Sequence, residues 1–154
     1  MTYNLEEFEK LDKLKTKVMK YIVYKKRTEQ EVRRKFSNID DQELLDEVIE
    51  DLKENGYIND ESYIERAVAE FINLKNLSLK ELKYKLVSKG LNKDLVDDYF
   101  YKNIDKLEEY EINSAKNIII KKSNGMEEQD IIQYLLKKGY KIDLIKMAIQ
   151  EIGE

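Results

Sequence analysis

The chain has 154 residues, of which 39% are charged and 42% hydrophobic, with a formal net charge of −4. It contains no cysteine and no histidine, which excludes disulfides, thiolate zinc sites and imidazole-based acid–base catalysis. Magnesium chemistry based on carboxylates alone stays open in principle, but no acidic motif converges on one place. We therefore predict a protein that is not an enzyme and has no cofactor or metal.

The composition also predicts an all-α fold. Proline is absent, and the long unbroken segments are rich in Lys, Glu, Leu and Ile, which favour helices. The first 26 residues alternate apolar and charged side chains without an apolar core of 7 to 15 residues, and no run of about 18 apolar residues occurs anywhere. We expect a cytoplasmic protein that does not associate with membranes.

Charge is unevenly spread over the first third of the chain. Between Lys10 and Lys35 there are eleven Lys or Arg residues against three acids, whereas Asp40 to Glu61 holds ten acids against Lys53. A negative net charge alone would argue against a nucleic-acid partner. The basic segment keeps such a partner possible.

Three similar segments follow one another at nearly constant spacing. Thr28–Phe36 is echoed 50 residues later by Ser78–Leu86, and more weakly a further 49 residues on by Glu127–Leu135. A second set of echoes follows each of these, at Leu44–Ile49, Leu95–Phe100 and Leu144–Ile149. This periodicity predicts tandem repeats.

Each repeat is predicted to contain three helices, because apolar residues recur at spacings of three and four between polar or glycine boundaries. We divide the chain into repeat 1 (residues 1–57, with an N-terminal extension), repeat 2 (58–104) and repeat 3 (105–154). Helices this short need neighbours to bury enough surface. The expected array is elongated, either straight or curved.

The helix boundaries have recognisable chemistry. Thr28 with Glu31, and Ser78 with Glu81, have the spacing of capping boxes, whereas Glu127 at the same place in repeat 3 is a weaker cap. Gly56, Gly90 and Gly139 each follow an amphipathic segment and precede an apolar residue. We expect these glycines to end helices in the left-handed conformation.

The order of these motifs resembles the RecX regulators of RecA recombinase. Arg27–Phe36 is similar to the family's Arg-Ser-Glu followed by Glu-Leu-Arg-x-Lys-Leu, Gly56–Tyr63 to its Gly-Tyr-Ile-Asp-Asp-x-x-Phe, and Leu86–Leu91 to its Leu-x-x-Lys-Gly-Ile. The resemblance spans about residues 11 to 152. The chain departs from the pattern at Ser37–Ile39, which replaces a Lys-Gly ending.

The resemblance implies a function that composition and periodicity do not give. Members of the family lodge in the groove of the RecA filament on single-stranded DNA and modulate, mostly by inhibition, its ATP hydrolysis, strand exchange and co-protease activity. The implied partners are the RecA filament and single- or double-stranded DNA, and we expect a monomer.

Basic residues of repeats 1 and 2 are the candidate binding site. Arg33 and Lys35 flank Arg34, opposite the buried face of their helix, and Lys83 and Lys85 hold the same positions in repeat 2, whereas repeat 3 has Ile132 and Tyr134 there. For any single residue, a solvated helix face is an equally good interpretation. The predicted site comprises Lys25, Lys26, Arg27, Arg33, Arg34, Lys35, Lys80, Lys83, Lys85 and Lys89.

Other interpretations remain open. Among the tyrosines only Tyr84 is predicted to be exposed beside basic residues, whereas Tyr57, Tyr63 and Tyr99 fit the core or a cap. The acids from Asp40 to Glu61 are predicted to form a solvated face. The alternative functions are a helical-repeat DNA-binding protein that acts without RecA, in which the helices resemble helix-turn-helix modules, and a scaffold for some other protein.

Overall fold

The structure is a computed structural model that describes residues 4–154. Within this range the regular secondary structure consists of nine α-helices. They are α1 (Leu5–Tyr24), α2 (Glu29–Lys35), α3 (Gln42–Glu54), α4 (Asp60–Leu74), α5 (Leu79–Ser88), α6 (Lys93–Lys102), α7 (Ile104–Lys122), α8 (Glu128–Lys138) and α9 (Ile142–Gly153). The predicted all-α class is confirmed.

The helices form two compact units. Unit 1 contains the described residues up to Tyr63 together with Lys89–Leu91, and unit 2 contains Ile64–Ser88 together with Asn92–Glu154. The division of the chain into repeats ending at residues 57 and 104 stays a prediction.

The core of unit 1 lies between α1 and α3. Spacings of three and four residues place Leu14, Val18 and Ile22 on one face of α1, as the sequence predicts. They pack in one cluster with Val32 of α2, with Ile58, and with the buried side chains of α3, which are Leu45, Val48, Ile49 and Leu52.

In unit 2, the three C-terminal helices share a buried cluster. Ala115 and Ile118 of α7 pack with apolar residues of α8 and α9, namely Ile131, Leu135, Ile145 and Ala148. Tyr140, between α8 and α9, belongs to the same cluster and is 2% exposed. Its phenol is bonded to Ser114, since the two hydroxyl oxygens lie 2.6 Å apart.

Both predicted capping boxes are present. Thr28 Oγ1 accepts from the Glu31 N–H at 3.1 Å, and the Glu31 carboxylate accepts from the Thr28 N–H at 3.0 Å. Ser78 and Glu81 repeat this exchange at 3.1 and 3.0 Å. α8 begins after Glu127 without a hydrogen bond from a capping side chain, as expected from the weaker motif.

The two capping hydroxyls also make a long-range bond. Thr28 Oγ1 donates to the carbonyl of Lys89 at 3.1 Å, 61 residues away, and Ser78 Oγ donates to the carbonyl of Lys138 at 2.7 Å, 60 residues away. Both capping residues are 0% exposed. Each hydroxyl therefore satisfies a helix N-terminus and a distant backbone carbonyl at once.

A carboxylate binds the next amide of each of these helices. Asp60 Oδ1 accepts from the Glu29 N–H at 3.1 Å in unit 1, and Glu111 Oε1 accepts from the Leu79 N–H at 2.7 Å in unit 2. Burial raises the pKa of both carboxyls, although these backbone hydrogen bonds oppose the shift. The start of α2 and the start of α5 are thus built alike.

A glycine follows each of the two carbonyl groups, of Lys89 and Lys138, that accept from the capping hydroxyls. Gly56, Gly90 and Gly139 have φ of 80°, 89° and 100°, which confirms the predicted left-handed helix ends. A Cβ at Gly139 would lie 2.8 Å from Cβ of Lys80, and one at Gly90 would overlap the side chain of Gln30. At these two positions glycine is required by close packing as well as by φ.

Replacing Thr28 by alanine is expected to lower the free energy of unfolding by about 1 to 3 kcal/mol, because the variant leaves a cap amide and a buried carbonyl without their partner. Thr16→Ala is the matched control, since the Thr16 hydroxyl is exposed and, among residues 4–154, bonds only the Asp12 carbonyl, within α1. It should change stability by less than about 0.5 kcal/mol. Denaturant titration followed by circular dichroism measures both, and equal losses would contradict the role given to Thr28.

Glu111→Gln is expected to destabilise unit 2, because Glu111 accepts from the Leu79 N–H on one oxygen and from the Lys141 N–H, at 3.3 Å, on the other. A glutamine has only one acceptor oxygen and turns an N–H donor towards the other amide, whereas a protonated carboxyl keeps acceptor capacity beside its one O–H. Since burial raises the pKa of Glu111 above its usual 4.5, the protonated carboxyl favours the folded state. That contribution is complete below the unfolded-state pKa and is lost as pH rises through the folded-state value.

The stability difference between the wild-type protein and Glu111→Gln should therefore shrink as pH is raised from about 4 towards neutrality. Denaturation midpoints across this range measure it. Glu109→Gln, an exposed neighbour on α7, controls for the loss of one charge. A difference that widens with rising pH would contradict the assignment.

Candidate functional site

The ten predicted site residues are divided between the units. Lys25 to Lys35 and Lys89 belong to unit 1, and Lys80, Lys83 and Lys85 belong to unit 2. Their side chains differ in whether an acid of the protein already pairs with them, which decides how much of each charge is available to a partner.

Tyr21 of α1 organises part of the cationic surface of unit 1. The Arg27 guanidinium lies 4.3 Å from the centre of its ring, and Lys35 Nζ lies 5.8 Å from it. Phe36 packs edge-on against the same ring, with centroids 6.0 Å apart. These cation–π contacts hold the charges of Arg27 and Lys35 beside one face of α1.

Arg33 is the most strongly paired member of the predicted site. Its guanidinium lies 2.6 Å from Asp46 and 3.0 Å from Glu29. The Glu29 carboxylate also forms an ion pair with Lys53, whose Nζ lies 2.9 Å away. The hydrogen bonds that Arg33 donates to Asp46 and to Glu29 raise its pKa against the effect of burial. Arg33 therefore stabilises the surface of unit 1 more than it presents charge to solvent.

The predicted site also has members whose charge is not paired, namely Arg34, Lys25 and Lys26. All three side chains are exposed, and none takes part in an ion pair among residues 4–154. The prediction that Arg34 points away from the buried face of α2 is confirmed. These cations are available to bind an external anion.

Two basic residues of unit 2, Lys83 and Lys85, flank an exposed tyrosine in the sequence of α5. Lys83 Nζ lies 2.8 Å from Asp97 and 5.0 Å from the ring centre of Phe100, whereas Lys85 Nζ lies 5.9 Å from the ring centre of Phe71. Tyr84, between them in sequence, is 75% exposed, as predicted. Lys85 is exposed and unpaired with any acid in the described part of the chain.

The predicted acidic face of α3 is present, and part of it is paired. Asp46 binds Arg33, and Asp51 lies 2.5 Å from Lys15 of α1.

The expectation that three tyrosines fit the core or a cap is met by two of them and is wrong for the side chain of Tyr57. Tyr63 and Tyr99 are half-buried, but the Tyr57 side chain is 49% exposed and only its backbone N–H takes part in the cap, by donating to the Leu52 carbonyl at 2.8 Å.

Several basic and aromatic residues outside the predicted site are also prominent. Lys10, Lys13, Lys17 and Lys20 lie exposed along α1, and Tyr24 at its end is 87% exposed. The sequence signal for these lysines is their spacing of three and four residues, which places them on one helix face.

Within residues 4–154 no group of three or more Asp and Glu side chains is arranged to hold a metal ion. None of the helices described here has the length and apolar character needed to span a bilayer.

The protein is all-helical in its described part. Its two short helices that begin at capping boxes, α2 and α5, carry exposed basic residues. No protein-family model matches the chain. It is 29% identical over 162 residues to the regulatory protein RecX of Lactococcus lactis and 31% identical over 156 residues to that of Staphylococcus carnosus, with 97% of this chain covered in each case.

Similarity of structure agrees with that of sequence. The crystal structure of RecX from Lactobacillus salivarius matches with a TM-score of 0.77 and 27% identity, over 94% of this chain and 97% of that one. The chain belongs to the RecX family. It spans 59% and 58% of the lengths of the Lactococcus and Staphylococcus proteins.

Arg33 and Arg34 allow a direct test of the distinction between paired and free cations. Arg33→Gln is expected to lower the free energy of unfolding by about 0.5 to 1 kcal/mol, because it breaks two contacts of a charge network. Arg34→Gln should change it by less than about 0.5 kcal/mol. Both are measured by denaturant titration, and an Arg34 variant as unstable as the Arg33 variant would show that Arg34 is a structural residue.

Proposed function

We propose that the protein binds the RecA filament assembled on single-stranded DNA and modulates it, mostly by inhibition. The affected activities are ATP hydrolysis, strand exchange and co-protease activity. The protein acts by binding and catalyses no reaction itself. Membership of the RecX family is the observation that carries this proposal, since the relatives are named regulatory proteins.

The free cations give the proposal a physical basis. A filament on DNA presents phosphates and acidic side chains at regular intervals, and cations gain most from such a surface when no acid of their own protein competes. Arg34 and Lys35 in unit 1 and Lys85 in unit 2 meet that condition. We propose these residues as the main contacts of the predicted site and Arg33 and Lys83 as supports.

We propose that the protein acts as a monomer in the cytoplasm. Independent action on DNA without RecA is the second candidate, and the unpaired lysines of α1 favour testing it separately.

Titrating this protein into the ATPase and strand-exchange reactions of its cognate RecA on single-stranded DNA tests the proposal. Both activities are expected to fall at or below stoichiometric amounts. An absence of effect at stoichiometric amounts would contradict the proposed function.

The double variant Arg34→Glu/Lys85→Glu is expected to need about tenfold more protein for the same inhibition, because each reversal replaces an attraction by a repulsion. Lys93→Glu/Lys146→Glu changes the net charge equally at exposed positions outside the predicted site and should inhibit like the wild type. Equal weakening of the two double variants would mean that only net charge matters.

A further inference from the structure

One face of α1 carries a row of lysines. Lys10, Lys13, Lys17 and Lys20 follow one another at spacings of three, four and three, which at 100° per residue places them within an arc of about 80°. Leu14, Val18 and Ile22 occupy the other side of the helix, in the core of unit 1. At a rise of about 1.5 Å per residue, the four lysines extend over about 15 Å.

This row, which we call the α1 lysine row, is not neutralised by the protein. All four side chains are exposed, and none forms an ion pair among the described residues. Lys15, on the side of α1 that faces α3, is paired with Asp51 at 2.5 Å. The acids of α1 near the row, Glu6 and Glu9, precede it in the first turns, where negative charge complements the helix dipole.

An exposed aromatic ring continues the α1 lysine row. Tyr24 lies four residues beyond Lys20, on the same face, and is 87% exposed. Tyr21 lies beside this face. The Arg27 guanidinium is 4.3 Å and Lys35 Nζ is 5.8 Å from the centre of its ring. The row is therefore continuous, within unit 1, with part of the site predicted from the sequence.

A single-stranded nucleic acid fits this surface better than an acidic protein. Lysines on flexible stems at regular intervals follow a phosphate backbone and release its counterions, which gives affinity despite a net charge of −4. An exposed tyrosine beside such a row can stack on an unpaired base, which a duplex does not present. An acidic protein would use the charges but leave the exposed ring of Tyr24 without a role.

We propose that the face of α1 formed by Lys10, Lys13, Lys17, Lys20 and Tyr24 binds single-stranded nucleic acid directly. The lysines contact successive phosphates, and the Tyr24 ring stacks on a base. This binding does not require RecA, so it can fail or hold independently of the function proposed above.

Fluorescence anisotropy with a labelled oligothymidylate of 20 nucleotides, in a series of salt concentrations and without RecA, tests the proposal. The quadruple variant Lys10→Gln/Lys13→Gln/Lys17→Gln/Lys20→Gln should lose about tenfold or more in affinity at low salt. The slope of log K against log salt should become shallower by about 3, since each contact to a single strand contributes about 0.7. Glutamine retains the helix preference of lysine.

Lys93→Gln/Lys106→Gln/Lys121→Gln/Lys146→Gln is the matched control, because these exposed lysines lie in unit 2 and their loss changes the net charge equally. It should retain nearly the wild-type affinity and slope. Equal losses in the two quadruple variants would overturn the proposal in favour of unspecific attraction. An unchanged affinity of the α1 variant, with helicity confirmed by circular dichroism, would overturn it outright.

Tyr24→Ala separates stacking from charge. It should weaken binding to the single strand about tenfold and leave binding to a duplex of 20 base pairs unchanged. Tyr101→Ala is the control, because it removes a ring of unit 2 that is 81% exposed. It should change neither affinity. If the α1 quadruple variant lost RecA inhibition but kept its affinity for oligothymidylate, the row would serve an acidic protein surface, and the proposal would be wrong.

Discussion

The structure depends on how the first amides of two short helices, α2 and α5, find hydrogen-bond partners away from water. An unpaired buried N–H costs about 1 to 3 kcal/mol, which is a large share of the stability of a small domain. Thr28 and Ser78 each meet this need with a hydroxyl that accepts from the helix and donates to a carbonyl about 60 residues away. Asp60 and Glu111 bind the amide that follows. These bonds connect local helix capping to tertiary packing.

Fixing the helix starts also decides which charges face solvent. Because the capping box sets the rotation of α2 relative to the core, Val32 is buried, Arg33 reaches the acids of α3, and Arg34 is left exposed without an acid. α1 shows the same division, since Lys15 meets Asp51 and the α1 lysine row has no acidic partner among the described residues. The acids of α3 therefore neutralise one side of unit 1 and leave the other side cationic.

The sequence predicted what depends on neighbours in the chain and missed what depends on distant ones. Apolar spacing, the capping boxes and the left-handed glycines are local, and each is found as expected. The Lys89 carbonyl that accepts from the Thr28 hydroxyl and the Asp46 carboxylate that accepts from Arg33 lie on other segments, so no pattern around those residues could identify them. Glu111 did leave a signal, because it interrupts the buried stripe of α7 between Leu107 and Ala115. An acid on an apolar stripe calls for buried donors.

The difference between Ser78 and Glu127 shows how much of a capping motif belongs to tertiary structure. Ser78 is fully buried, and its hydroxyl reaches the end of α8, where the Lys138 carbonyl accepts it and Gly139 leaves room for Lys80. Glu127, the N-cap of α8, is exposed and makes no capping bond through its side chain. A solvated helix start can rely on water and on the dipole, so a hydroxyl is required only where the cap is buried against a carbonyl. The residue type at the N-cap position of the motif therefore indicates whether another segment packs on the start of that helix.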